Sequence, residues 1–467
     1  MVVYKFGGAT TRTARGLETL VGLVRDAHVA EIESARRRKK RADLTHGVVV
    51  VVSAIGHTTR QLQRSAELAR DGALAQSLEN LDRMLAQHDQ LASTLRLLPP
   101  SLKRFEEEIT RISKATVALI EGISITRELT DRVRDSVLAQ GEALAMALIS
   151  VLLEERGLPL KVIDARDVII TNEDFGSASP IMEEIEQRAK HVITPWLERS
   201  NIVLIQGFVG AARDGRTTTM GSESSDLTGT ILARALNAEE VVIWKSVPGI
   251  FTADPELVPQ AKLIKSLSFA EAEELGRRGA RILHPQVAHP LKQAKREITL
   301  KVSSPKALRS KQTSITGEQS SGRFRPLAVA VEQNLSSVDL RTEPDSSSVK
   351  VSSIEARRNR HALSKILHAI ASPERTTVYL RKEDRNEFLK LSKDRSPESK
   401  DKKALASVSL IFRNGSDNEE LRDNFFKSLR AYAPLAIFPV ENSLVAIVDQ
   451  ERSLPALRKL HKDFFGA

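Results

Sequence analysis

Five consecutive valines, Val48 to Val52, lie between Gly47 and Ser53. A strand with no polar side chain on either face must be buried on both, and burial of that kind belongs to a parallel sheet covered by helices. The neighbouring sequence supplies such a sheet. Residues 1–6 are apolar around an embedded Lys5, Gly7 and Gly8 end the run, and Leu17, Leu20, Val21 and Val24 follow at helical spacing. Thr10 or Thr11 is the expected cap of that helix. Further strands are predicted at 160–163, 201–206, 240–247 and 298–302, most of them separated by helices. The fold class is therefore α/β, an open and mostly parallel sheet with helices on both faces. Residues 59–134 read as helical throughout, broken at Pro99-Pro100, with another helix over 135–155. An insertion of this length often forms a lid or a dimer surface.

At 467 residues the chain is too long for one ordinary domain. Its character changes after Ser303, with polar stretches at 310–325 and 384–403. A strand at 404–412, a helix at 419–432, strands at 435–440 and 443–448 and a closing helix at 454–465 form a ferredoxin-like unit lacking one edge. A weaker copy, with a helix at 354–371 and a strand at 376–381, precedes it. The expected domains are 1–306, with the helical insertion at about 59–134, then 326–400 and 404–467.

The absence of cysteine removes disulfides, thiolate metal sites and cysteine nucleophiles. The excess of 70 basic over 60 acidic residues raises the question of nucleic acid. Its one dense run, Ala35 to Arg41, has few aromatics to stack on bases, so a solvated loop is expected and no nucleic-acid partner. Apolar runs such as 48–55 fall far short of a membrane span. With a strand pattern starting almost at Met1, no signal peptide is expected, and the expectation is a cytoplasmic protein with no membrane partner.

Glycine-bearing turns follow three strands, at Lys5 to Thr10, Ser53 to Thr59 and Gly207 to Gly210. Ligands bind at strand ends in such sheets, and glycine lets backbone N–H groups approach phosphate oxygens. Lys5 is costly inside a strand unless its ammonium reaches water at an edge or an opposite charge within a site. Asp226, at the start of a helix after a hydroxyl-rich approach, is either an ordinary cap or a group that pairs with Lys5 or organises magnesium near phosphates.

Taken together, Lys5-Phe6-Gly7-Gly8, Ser53-Ala54 with Thr59, Gly141-Glu142, Gly207-Phe208-Val209-Gly210, Thr218-Thr219-Met220-Gly221 running to Ser225-Asp226, Thr252-Ala253-Asp254-Pro255, and Gly279-Ala280-Arg281-Ile282-Leu283-His284-Pro285 resemble the aspartate kinases. Leu460-His461 and Phe464-Phe465 are similar to the closing helix of that family's second ACT domain. The resemblance implies an amino-acid-kinase (carbamate-kinase-like) αβα sandwich followed by two C-terminal α+β ACT domains. It implies transfer of the ATP γ-phosphoryl to the β-carboxylate of L-aspartate, with ATP and Mg2+ required and no protein-held metal site. Lys5 and Asp226 would be catalytic. Lys5, Gly7, Gly8, Gly207, Gly210, Lys245, Ser246, Phe251 and Arg281 would contact ATP, while Ser53, Thr59, Glu142 and Ser225 would hold aspartate. A homodimer is implied, with an amino-acid effector such as lysine or threonine sought near 412–416 and Asn442-Ser443.

Several family positions differ. Ser222-Glu223-Ser224 stands where Arg-Gly-Gly or Arg-Glu-Gly is usual, and a bidentate guanidinium is not replaced by a hydroxyl. Arg12, Arg60, Arg213 and Arg216 are the candidates to replace it from another loop. Ala9-Thr10, Ser246, Phe251 and Glu256 also depart from the pattern. These changes leave three alternatives open: a kinase for a different carboxylate or carbamate, a weakened or inactive relative that binds amino acids as a regulatory protein, and, from charge alone, a nucleic-acid binder.

Overall fold

The computed structural model describes residues 1–37, 46–199, 202–280, 283, 286–306, 311–317, 325–341, 366–371, 375–391, 404–413, 419–440 and 442–466. They fall into two units. The first comprises Met1–Ile250, Leu263–Phe269 and Gln286–Gln319, the second Phe251–Lys262, Ala270–Pro285 and Ser320–Ala467.

In the first unit the strands are β1 (Val2–Phe6), β2 (Val48–Val52), β3 (Leu160–Ile163), β4 (Ile202–Gln206), a hairpin of β5 (Val209–Ala211) and β6 (Thr217–Thr219), then β7 (Glu240–Trp244), β8 (Ser266–Ser268), β9 (Thr299–Ser303) and β10 (Thr313–Thr316). Eight of them form one sheet in the order β3-β4-β2-β1-β7-β9-β10-β8. Every neighbouring pair is parallel except β9 with β10. All five valines of β2 are buried, as two-sided cover requires. Leu17, Leu20, Val21 and Val24 are buried in the helix Ala14–Arg37, each contributing about 1.5–3 kcal/mol of transfer free energy as an upper estimate. Its start is held by Thr13, whose hydroxyl accepts the Gly16 N–H at 3.1 Å. Thr10 and Thr11, the caps expected from sequence, lie in the short helix Gly8–Thr11 before it.

The helical insertion consists of Thr58–Arg70, Leu74–Thr94, Pro99–Thr126 and Asp131–Leu138, followed by Gln140–Glu155. Pro99 and Pro100 open their helix, where the missing N–H groups cost nothing. The stretch Asp131–Glu155 is long and apolar enough to cross a membrane by length and composition, a feature not anticipated from the apolar runs. Most of it is buried, and its second helix, Gln140–Glu155, belongs to the core of the fold. β8 and β10 were not anticipated either. Both are short, and β10 falls within a segment that composition marks as polar.

The second unit holds β11 (Arg325–Arg341), β12 (Ile366–Ala371), β13 (Arg375–Arg381), β14 (Leu405–Arg413), β15 (Ala436–Val440) and β16 (Ser443–Asp449), in the order β12-β13-β11-β14-β16-β15. The helix expected over 354–371 is corrected over 366–371, which pair with β13 as an antiparallel strand; residues 354–365 lie outside the described residues. Cross-strand pairing overrides a local apolar spacing that fits a helix equally well. The edge missing from the 404–467 pattern is supplied by β11, whose first part pairs with β14 and whose last part pairs with β13. The switch occurs at a register shift between Glu332 and Leu335, with Asn334 at φ 59°. Helices Glu419–Leu429 and Gln450–Phe465 cover one face through Phe425, Leu429, Leu457 and Leu460.

Candidate active site

Parallel strands bring their carboxyl ends to one edge, and register places them in a row. Phe6 pairs with Val52 and with Trp244, and Val52 with Gln206. The next residues, Gly7, Ser53, Gly207 and Lys245, therefore leave the sheet side by side. Backbone bonds hold the turns together: Ser53 N–H to Phe6 at 3.2 Å, Gly56 N–H to Gly8 at 3.1 Å and Gly207 N–H to Val52 at 2.8 Å. Gly8 has to be glycine, since a Cβ there would lie 2.3 Å from the Ala54 carbonyl oxygen. At Gly207 a Cβ would meet that of Ser225 at 2.6 Å, so the end of β4 abuts the start of the helix Ser225–Ala235.

That helix packs on β1 through Gly229, whose absent Cβ would sit 3.4 Å from the Lys5 Cβ. The lysine stem lies against the gap and reaches back one turn toward Asp226. Lys5 Nζ is 2.7 Å from Asp226 Oδ1, and Lys245 Nζ is 2.7 Å from Asp226 Oδ2. Lys5 and Asp226 are buried, and Lys245 keeps partial exposure. Burial disfavours the Asp226 carboxylate, but the two ammonium groups outweigh it and hold its pKa below the ordinary carboxylate range. Burial also lowers the pKa of Lys5, with Asp226 opposing and Lys245 adding to the effect. Two cations on one buried carboxylate carry net positive charge to the strand ends, which suits a polyphosphate and a transferring phosphoryl group.

Facing them is Glu142, in the first turn of Gln140–Glu155 and almost fully buried. Its Oε1 accepts the Ala54 N–H at 3.0 Å, and its Oε2 has no partner. Burial pushes its pKa up to about 8, against the Ala54 N–H bond and the charge of Lys5. Gly141 allows this helix to touch the turn, since its Cβ would lie 3.1 Å from that of Ala54. A buried carboxylate with a free oxygen is a receptor for a ligand ammonium. In the turn before Ser225, the fully buried hydroxyl of Ser224 is also unpaired.

The structure thus gathers Lys5, Gly7, Gly8, Ser53, Glu142, Gly207, Ser225, Asp226 and Lys245 at one edge of the sheet. Ser53 and Thr59 are half-buried, Thr59 in the first turn of Thr58–Arg70. Gly210 sits in β5, where a Cβ would meet the Ile169 carbonyl oxygen at 2.8 Å, so close packing accounts for that glycine. Ser246 is exposed. Phe251 belongs to the second unit, and Arg281 lies outside the described residues. Sequence reasoning placed Lys245 against ATP and missed its ion pair with Asp226; a lysine directly after a strand parallel to β1 was the available signal.

Of the arginines that could replace the missing one, Arg213 pairs with Glu184, and Arg216 with Glu173 and Asp214. Arg12 and Arg60 are exposed, and a Cβ on Gly56 would lie 3.6 Å from the Arg12 Cβ. The substituted loop is unusual in its backbone: Glu223 adopts φ 62°, a conformation that favours glycine. In the second unit, the segment where an effector was sought is already engaged. Arg413 holds Glu271 through contacts at 2.6 and 3.0 Å, and the Ser443 hydroxyl donates to Glu274 at 2.6 Å. Residues 414–418 lie outside the described residues.

Residues 1–301 match the amino acid kinase family. The chain belongs to that family. It is 34% identical over 288 residues to lysine-sensitive aspartokinase 3 of Escherichia coli, a match covering 62% of each chain. It is 29% identical over 320 residues to the chloroplastic aspartokinase 1 of Arabidopsis thaliana, covering 67% of this chain and 55% of that one. The matches thus span less than two thirds of either relative's length. Among solved structures, E. coli aspartokinase III in complex with aspartate and ADP (R-state) superposes with a TM-score of 0.83 at 27% identity, covering 100% of both chains. The complex of E. coli aspartokinase III with lysine and aspartate (T-state) gives 0.71 at 26% identity, covering 100% of this chain and 99% of that one. The fold class expected from sequence, an amino-acid-kinase sandwich followed by ACT-like domains, agrees with these likenesses.

Proposed function

We propose that this chain is an aspartate kinase, transferring the γ-phosphoryl group of ATP to the β-carboxylate of L-aspartate to form 4-phospho-L-aspartate, the entry to lysine, threonine and methionine synthesis. The buried Lys5–Asp226–Lys245 cluster carries this reading, with Glu142 opposite it as the partner for the substrate ammonium. An aspartate β-carboxylate is already anionic at neutral pH, so no general base is needed. One of its oxygens bonds to the γ-phosphorus as the bond to the β,γ-bridging oxygen breaks and ADP departs. Catalysis then rests on positioning and charge: Lys5 and Lys245 stabilise negative charge on the moving group, and Asp226 directs both ammonium groups. Ser53, Thr59 and Ser225 supply hydroxyls to aspartate, and Gly7, Gly8 and Gly207 leave room for phosphate oxygens beside backbone N–H groups.

Magnesium, when bound, would neutralise phosphate charge. Among the described residues no group of three or more His, Asp or Glu could hold it, and both Asp226 oxygens face ammonium groups. The protein side does not fit a metal site, and the ion is assigned to the nucleotide's own phosphates.

We assign 1–306 to the catalytic domain, and 326–400 and 404–467 to two ACT-like domains carrying a site for an amino-acid effector, in a cytoplasmic homodimer. The lysine complex of the E. coli relative supports an effector of that class. An ATP- and aspartate-dependent hydroxamate assay, run with and without lysine and threonine, tests the whole reading. Turnover abolished by Lys5→Ala supports the enzyme. Aspartate binding without turnover would replace it with an amino-acid-binding regulatory protein.

A further inference from the structure

The helical insertion carries a second buried carboxylate, one the proposed mechanism does not use. Asp135, in the helix Asp131–Leu138, is completely buried, and the hydrogen bonds to its carboxylate come from neutral donors. Its Oδ2 accepts the N–H groups of Gly176 and Thr219, each at 2.9 Å, and its Oδ1 accepts the Thr219 hydroxyl at 2.6 Å. A buried carboxylate is costly, and it persists where several donors converge on it. These donors come from two segments, the turn around Gly176 and the last residue of β6.

Both segments border the loop that leads to Asp226. Thr219 runs through Met220 into Gly221, and a Cβ on Gly221 would lie 3.7 Å from the Gly176 carbonyl oxygen. In the other direction, the Ala139 N–H bonds to the Asp135 carbonyl at 3.0 Å, and the Ala143 N–H to the Ala139 carbonyl at 3.2 Å. These two bonds span the junction at Ala139, where the helix carrying Asp135 ends and the helix carrying Glu142 begins. The two halves of the acceptor site arise from separate parts of the chain, Glu142 on the helix that follows the insertion and Ser225 with Asp226 at the start of the helix after β6.

We propose that Asp135 is a positioning residue: by clamping Thr219 and Gly176 it fixes the distance between Glu142 and the 221–226 loop, and so sets affinity for the acceptor and not for the nucleotide. This rests on the assignment of Glu142 and Ser225 to the acceptor. Asp135→Asn keeps the shape and removes the charge, its amide oxygen still able to accept both N–H groups and its NH2 able to donate to the Thr219 hydroxyl, while Thr219→Val removes the hydroxyl bond alone and Thr219→Ser retains it.

Steady-state kinetics and amide hydrogen exchange on the full chain test the idea together. Asp135→Asn is expected to raise the aspartate KM about tenfold, the scale of replacing charge-assisted hydrogen bonds by neutral ones, with the ATP KM within about twofold. Thr219→Val should show the same pattern more weakly and Thr219→Ser should behave as wild type. Exchange should quicken at Gly176 and across 219–226 and stay unchanged in β1 and β2. Equal changes in both KM values, no change in either, or uniformly faster exchange would overturn the proposal. Should Asp135→Asn fail to fold, the Thr219 pair decides. Should wild type not turn over aspartate, the kinase reading falls, and exchange alone decides: local quickening supports the clamp, and uniform or absent quickening removes it.

Discussion

Glu142 and Ala54 meet through one hydrogen bond, Ala54 N–H to Glu142 Oε1 at 3.0 Å, which leaves the second carboxylate oxygen buried and unpaired. With its pKa raised by burial to about 8, Glu142 is mostly protonated in the free protein at neutral pH. An arriving ammonium has to displace that proton. The aspartate KM is therefore expected to fall as pH rises from about 6.5 to 8.5, and a KM rising over that interval would count against Glu142 as the ammonium partner.

The same shift bears on stability. A carboxyl whose folded pKa is raised binds more protons folded than unfolded between its ordinary value of 4.5 and about 8. Its contribution is complete below the lower value and is lost as pH climbs through the upper one. Glu142→Gln should therefore flatten the decline in Tm between pH 5 and 8, while weakening aspartate binding about a hundredfold. Thermal denaturation across pH, paired with aspartate titration, checks both halves.

Lys5→Ala removes a cation from the transferring centre and leaves Asp226 with Lys245 alone. The expected loss in kcat is about 10²–10³-fold, as for a preorganised charge-stabilising donor. A variant retaining more than a tenth of wild-type kcat would show that phosphoryl transfer does not depend on Lys5.

Gly8→Ala places a methyl 2.3 Å from the Ala54 carbonyl oxygen, a backbone atom with little freedom to move. The two turns must separate, at a cost of about 1–3 kcal/mol in stability. A higher KM for ATP is expected alongside a lower Tm. Wild-type values for both would place the turns farther apart than described.

In the second unit Arg413 and Glu271 form a buried two-point ion pair. Arg413→Ala leaves the carboxylate without that partner, and breaking a buried pair on one side costs about 3–5 kcal/mol. Chemical denaturation of the full chain should show the transition of this unit at lower denaturant, and an unchanged transition would contradict the pairing.

Much of the first unit could be read in the sequence because its signals are local. An unbroken apolar strand such as Val48–Val52 has one reasonable environment, and Leu17, Leu20, Val21 and Val24 declare a helix face by spacing alone. Gly7, Gly8 and Gly207 could be recognised as special by their place after strands. β8 and β10, with 3 and 4 residues, are too short to carry a pattern. The segment 366–371 has no local feature that separates strand from helix; only its partner β13 decides.

Sequence by itself determined that Lys5 sits in a buried strand and Asp226 at a helix start, because periodicity and chain breaks are properties of neighbouring residues. Only the tertiary structure decided that Lys245 shares Asp226 with Lys5, that Asp135 joins the helical insertion to the loop after β6, and that β11 serves two neighbouring strands. Each of these depends on distance in space between residues far apart in the chain. Such distances are set by sheet order and packing, which no local pattern encodes.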